Sequence, residues 1–148
     1  GGHLKVSVRR KPKVAIIPTG SEIVEPGTEL KIGNIIEYNS RIMEGLVSGW
    51  GGEAIRVSIV PDKPEKIKDA LLKAVDEADM VAINAGASTG SEDYTAGIIE
   101  ELGELLVHGI SIKPGKPAIL GMIKGKPVIG VPGYPVSAYL IFNLFAIS

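Results

Sequence analysis

Apolar residues along this chain change their spacing several times, and each change predicts an element. From Lys13 the stretch KVAIIP is an unbroken apolar run of strand length, the pattern of a strand covered on both faces. Similar runs follow at 54–60 (AIRVSIV), 80–84 (MVAIN) and 105–112 (LLVHGISI). Between the second and third runs the period lengthens: Ile67, Ala70, Leu71, Ala74, Val75 and Ala78 recur at helical spacing, so they share one side of a helix. Asp62 and Glu65 are spaced to form a capping box at its start. Asn39 or Ser40 is placed to cap an earlier helix that runs to about Ser48, before Gly51-Gly52 ends it. A glycine-rich loop over 85–93 leads into a helix from about Tyr94 to Leu102. Apolar runs at 118–123 and 128–131 bracket Lys124-Gly125-Lys126, a hairpin or short connection. The stretch VSAYLIFNLFAI at 136–147 is a strongly apolar helix.

Strands separated by helices imply parallel pairing with right-handed crossovers and helices on both faces. The predicted fold class is therefore α/β: a three-layer α/β/α sandwich with a mostly parallel central sheet. In such a sheet ligands bind where loops leave the carboxyl ends of strands, because helix amino ends and backbone N–H groups converge there. The loops in question are Thr19-Gly20-Ser21-Glu22, Asp62, Asn84 to Asp93, Lys113-Pro114-Gly115-Lys116 and Pro132-Gly133-Tyr134-Pro135. If their feeder strands are parallel, all of them lie on one rim.

Composition narrows the ligand. The chain has 148 residues, 45% apolar and 22% charged, enough for one globular domain with a core. A formal net charge of -1 argues against nucleic acid as a partner, which would need an excess of lysine and arginine. No cysteine is present, so disulfides and thiolate metal sites are excluded, in keeping with a cytoplasmic setting. No apolar run reaches the roughly 18 to 20 residues of a membrane span. Both ends read as cut. Gly1-Gly2-His3 resembles a cloning remnant, VSVRRKPK at 6–13 has linker composition, and the last helical stretch stops without a polar turn or glycine cap. Residues 1–12 are thus expected to be tag remnant and linker, and 13–148 one domain of a longer protein. Ammonium groups, carboxylates and helix entrances on one rim suit a phosphorylated ligand held with a divalent cation. The glycine spacing is neither GxGxxG nor a Walker loop.

Four stretches also carry a family resemblance. VAIIPTGSEIVEPGTELKIGNIIEYNS, NAGASTGSEDYT, IKPGKP and GVPGYPVSA are similar, in the same order, to the motifs TGDEL and IYDSN, SGGVSVGDxDY, KPGKP and LPGNPVS. These belong to the molybdopterin molybdenumtransferases, the MoeA and gephyrin C-terminal family. The resemblance spans nearly the whole chain from Lys13. It implies a molybdopterin-binding, MogA-like domain, in a divergent branch of the family. The full-length relative would bind adenylylated molybdopterin, use Mg2+ to release AMP, and insert molybdate. Dimers or trimers, and other domains of the same chain, are the partners it implies.

Carried over position by position, Glu22, Asp62 and Asp93 match family acids and become the candidate catalytic and metal-holding residues. Thr19, Gly20, Ser21, Asn39, Asn84, Gly86, Ser88, Gly90, Lys113, Gly115, Lys116, Gly133 and Ser137 become the candidate cofactor-binding set. Backbone N–H groups of Gly20, Gly86, Ser88 and Gly90 would hold phosphate or pterin, and Lys113 and Lys116 would neutralise phosphates. Ser21, Lys63 and Ser91 stand where the family has further acids, Tyr134 where it has asparagine, and Glu37-Tyr38 where it has Asp-Ser. A site with fewer carboxylates should hold its cation more weakly. The residues also admit plainer roles. Asp62 and Asp93 are placed to cap helices, lysines of this kind are more often solvated surface, and His108 and Trp50 read as structural. Two other functions stay open: molybdopterin adenylyl transfer, whose GGTG-type loop Asn84-Ala85-Gly86 does not reproduce, and a non-catalytic molybdopterin-binding or sensor module.

Overall fold

A computed structural model describes residues 1–84 and 91–147, with backbone only at 91–93. Strand β1 (Lys13–Pro18) is followed by two short strands, β2 (Ile23–Val24) and β3 (Ile35–Ile36), then helix α1 (Asn39–Gly49), β4 (Glu53–Arg56), α2 (Pro64–Glu77) and β5 (Met80–Asn84). Helix α3 (Ser91–Leu102), β6 (Glu104–His108), β7 (Ile119–Ile123), β8 (Lys126–Val131) and α4 (Pro135–Ala146) complete the order. Six of the strands form one sheet in the order β4-β1-β5-β8-β7-β6. β1 pairs in parallel with β4 and β5, and β5 in parallel with β8. β7 runs antiparallel to both of its neighbours, β8 and β6. Two reversals restore direction, so β6 points the same way as β8, β5, β1 and β4. The three-layer, mostly parallel α/β/α arrangement expected from the apolar runs is the one found.

Each face of the sheet has its own core. On one side Ala15, Ile17, Val81 and Ile83 pack against Ile67, Leu71 and Val75 of α2 and Ile99 of α3. On the other, Val14, Ile16, Ala82, Ile129 and Val131 meet Met43 and Val47 of α1 and Ile141 and Phe142 of α4. The alternation of neighbours between two cores explains why β1, β5 and β8 are apolar at nearly every position. Trp50, at the end of α1, stacks on Phe142 with ring centroids 5.6 Å apart, joining the two helices on that face.

Several local expectations are corrected. The second strand is shorter than predicted, ending at Arg56, with only an isolated bridge between Thr19 and Val60 beyond it. The fourth ends at His108, and residues 109–112 lie in a loop whose Gly109 and Ile110 N–H groups bond to the Ala118 and Lys116 carbonyls. α3 begins at Ser91, three residues earlier than predicted, which places Asp93 in its first turn. α2 starts at Pro64 behind Lys63, with no side-chain cap; proline is favoured at the first helical position, where its missing N–H would have had no partner within the helix, and this start makes Lys63, not Asp62, the residue at the helix entrance. The Asp62–Glu65 capping box is therefore not formed. Nor does Asn39 or Ser40 cap α1. That end is held by Glu37, whose carboxylate accepts the Ser40 N–H at 2.8 Å and the Ser40 hydroxyl at 2.6 Å. Lys124-Gly125 does form the tight hairpin turn, with φ of 51° and 73°.

Candidate functional site

The co-oriented strands deliver their following loops to one rim, and at its centre β1 and β5 end side by side. Thr19 locks these ends together: its N–H and its hydroxyl both donate to the Asn84 carbonyl at 3.0 Å. Gly20, at a φ of +151°, donates its N–H to the Val60 carbonyl at 3.0 Å. This N–H is held inside the fold, and its expected service as a phosphate donor does not fit the structure. A Cβ at Gly20 would lie 3.2 Å from Glu22 Oε2 and 3.1 Å from Ile23, so the missing side chain lets Glu22 fold back over the turn.

An open cleft lies above this junction, bordered by Thr19, Glu22, Glu37, Asn39, Asn84 and Gly133, with Ile23, Ile35, Ile36 and Tyr38 forming its apolar wall. The wall is the β2–β3 pair, tied across by the Ile35 N–H to the Glu22 carbonyl and the Glu37 N–H to the Val24 carbonyl. Asn39 is buried, and its amide nitrogen reaches the Gly133 carbonyl at 2.7 Å and Asn84 Oδ1 at 3.3 Å. A single side chain thus connects the amino end of α1, the end of β5 and the loop after β8. Asn39 Oδ1 is buried with no hydrogen-bond partner.

Asp62 stands beside the cleft, on the Glu22 side. Its N–H donates to Ser21 Oγ at 3.3 Å, and its Oδ1 is buried without a partner. Burial, and then the negative charge of Glu22, push the Asp62 carboxyl above the usual carboxylate range. An orphaned carboxylate oxygen next to a second acid is a place where positive charge would be stabilised. The all-oxygen donors suit a hard divalent cation such as Mg2+, which keeps several waters and needs few protein ligands. Asp93, the third candidate acid, has its backbone in the first turn of α3, and its side chain lies outside the described residues, as do Gly86, Ser88 and Gly90. Among the described residues no group of three His, Asp or Glu side chains forms a metal site.

Lys113 and Lys116 follow β6 and are exposed. They share the rim with the cleft but do not border it. Their turn is fixed by Gly115, buried at a φ of +117°, where a Cβ would come within 2.7 Å of Ile141 in α4. Ser137 is buried in the first turn of α4, below Gly133. Sequence reasoning missed Glu37 as part of the cleft. Its marks in the sequence were the inverted spacing Glu37-x-x-Ser40 and its place at the aspartate of the IYDSN stretch.

Comparison with known proteins assigns the family. The family model described as "Probable molybdopterin binding domain" matches residues 15–148. The molybdopterin molybdenumtransferase of Haemophilus influenzae is 34% identical over 141 residues, covering 95% of this chain and 35% of that one. Among solved structures, the molybdopterin biosynthesis MoeA protein from Pyrococcus horikoshii is 51% identical with a TM-score of 0.85, covering 93% of this chain and 34% of that one. The tungsten cofactor synthesizing protein MoaB from Pyrococcus furiosus, at 21% identity and a TM-score of 0.70, covers 94% of this chain and 92% of that one, a likeness of fold. The chain spans about a quarter to a third of the length of the curated relatives it matches. It belongs to the molybdopterin-binding domain family, in the form that the molybdopterin molybdenumtransferases carry.

Proposed function

We propose that this chain is the pterin-binding part of a protein that receives adenylylated molybdopterin and inserts molybdate with release of AMP. The observation that carries the reading is the shared rim. Five co-oriented strands bring Thr19 to Glu22, Asp62, the end of β5, Lys113 to Lys116 and Gly133 to one side of the sheet. The lysines meet phosphate or molybdate oxygens as charge-assisted donors. Glu22 and Asp62, with Asp93, would hold Mg2+, which when bound offsets the charge of the adenylate phosphates and polarises the bond that is cleaved. Asp62, whose Oδ1 the fold leaves without a partner, is an acid that such a cation would satisfy. The remaining domains of the protein and a dimeric or trimeric assembly would complete the site, in the cytoplasm.

A second reading, a binding or sensor module without turnover, is supported by Ser21. Its hydroxyl accepts the Asp62 N–H where an aspartate, as the family motif has it, would add another carboxylate beside Glu22 and Asp62. Calorimetry with adenylylated molybdopterin, paired with an assay of AMP release in magnesium and molybdate, separates the two. The catalytic reading expects heat of binding that falls at least about tenfold in affinity for Lys116→Ala, and AMP released only with the metal. Binding without any AMP would leave the sensor reading. Unchanged affinity in Lys116→Ala would remove the lysine turn from the site.

A further inference from the structure

Among the described residues, the cleft border carries the carboxylates of Glu22 and Glu37. Several donors around it are spent within the fold: the Thr19 N–H and hydroxyl on Asn84, the Gly20 N–H on Val60, the Glu37 N–H on Val24. The amino end of α1, which would otherwise attract an anion, is already taken. Glu37 places a carboxylate there and accepts two donors from Ser40, while the Arg41 and Ile42 N–H groups turn to the Tyr38 carbonyl. A phosphate would meet the Glu37 charge across a site with no lysine or arginine among the described residues of its border.

Asn39 defines what is wanted instead. The Gly133 carbonyl can only accept, so the group facing it at 2.7 Å must be the amide nitrogen. This fixes Oδ1 as an acceptor, and Oδ1 is the buried atom without a partner. Asn39 is only 6% exposed, so bulk water does not readily offset that loss. From β8, whose loop carries Gly133, to β6, whose loop carries the lysines, the sheet spans two strand spacings, roughly 10 Å. That separation is enough to divide a ligand into an uncharged head and an anionic tail.

We infer that the cleft takes the amino-bearing edge of the pterin ring, with Asn39 as the acceptor that selects it, and that Glu37 keeps phosphate out of the cleft. The inference rests on the proposed function and adds the ligand's direction in the site. A pterin carries an exocyclic amino group beside a ring N–H, and both are donors. Lumazine, the same ring with a carbonyl in place of that amino group, would set an acceptor against an acceptor.

The test compares the two rings on the intact protein by their fluorescence. Pterin is expected to bind about tenfold more tightly than lumazine, the value of one hydrogen bond to a buried partner. Asn39→Leu should abolish the preference, and inorganic phosphate should compete with pterin in Glu37→Gln but not in the unaltered chain. Equal affinity for the two rings would overturn the inference, and so would the absence of pterin binding at millimolar concentration. Displacement of pterin by Mg2+ alone would also overturn it, since the acceptors would then serve a cation. The ring comparison needs no substitution, so it stands even where a variant fails to fold. If adenylylated molybdopterin binds while the rings are not distinguished, only the orientation falls; if it does not bind, the proposed function falls first.

Discussion

Asp62 and Asp79 are both aspartates near strand ends, and their surroundings give them opposite pH behaviour. Asp62 is half-buried beside Glu22 and its carboxyl is held above the ordinary range. In the folded state it keeps its proton to higher pH than in the unfolded chain. Its contribution therefore falls as pH rises from about 4 through the raised folded value, and it is a constant cost above that. Asp62→Asn is expected to raise the melting midpoint near neutral pH by on the order of a few degrees, with the gain vanishing below about pH 4. Scanning calorimetry at the two pH values checks this; an equal gain at both would exclude charge as the cause. Asp79 accepts two hydrogen bonds from Arg10, at 2.5 and 2.6 Å, and one from the Lys13 N–H at 2.7 Å. The Arg10 guanidinium holds this carboxyl well below the usual range, so its support is complete above about pH 4 and is lost as the carboxyl is protonated in acid. Neither shift was legible in the sequence, since each depends on groups brought from elsewhere: Glu22 lies 40 positions before Asp62 and Arg10 lies 69 before Asp79. Glu37 was hidden for a different reason. Caps are read from Ser, Thr, Asp or Asn at the helix entrance, and here an acid outside the entrance serves a serine inside it.

Among the elements, the turn holding the two lysines depends most on a single position. Gly115 is buried under Ile141 of α4 in a backbone conformation that side chains rarely adopt. Gly115→Ala should cost about 1–3 kcal/mol by overpacking and strain. Ile141→Val in the same chain should recover part of it by removing the nearest methyl group. Urea unfolding of the single and double variants gives the answer, and a purely additive loss would show that the clash with Ile141 is not the source. The strands themselves were readable at long range because β1, β5 and β8 face a core on each side and carry apolar residues throughout. The reversal of β7 was less so. A hairpin at Lys124-Gly125 was foreseen as one of two possibilities, but the pairing of β6 on the far side of β7 is a non-local event with no mark in either strand. The entrance to α2 was misread for a local reason. Asp62 and Glu65 have capping-box spacing, yet Pro64 takes the first helical position and leaves Lys63, not Asp62, at the entrance.

For the molecule as a whole, protection should follow position in the sheet. β1, β5 and β8 lie inside it, whereas β4 and β6 are its edges and β2–β3 forms a separate pair. Amide hydrogen exchange is expected to be slowest in Ala15 to Ile17 and Val81 to Ile83, faster in β4 and β6, and fastest in β2–β3, where few backbone bonds must open. Slow exchange in β2–β3 comparable to that of β5 would mean that the cleft wall is part of the cooperative core. Family and fold were thus visible in the apolar runs and the motif order. The polarity of the cleft was not, because it emerges from which donors the fold consumes. One last consequence comes from the strand that runs against the rest. By doubling back through Lys124-Gly125, β7 and β8 join at the strand ends opposite the cleft. A fluorophore or affinity peptide spliced into that exposed bend would sit a full strand length from the ligand, making it the natural handle for immobilising the protein while leaving its recognition surface clear.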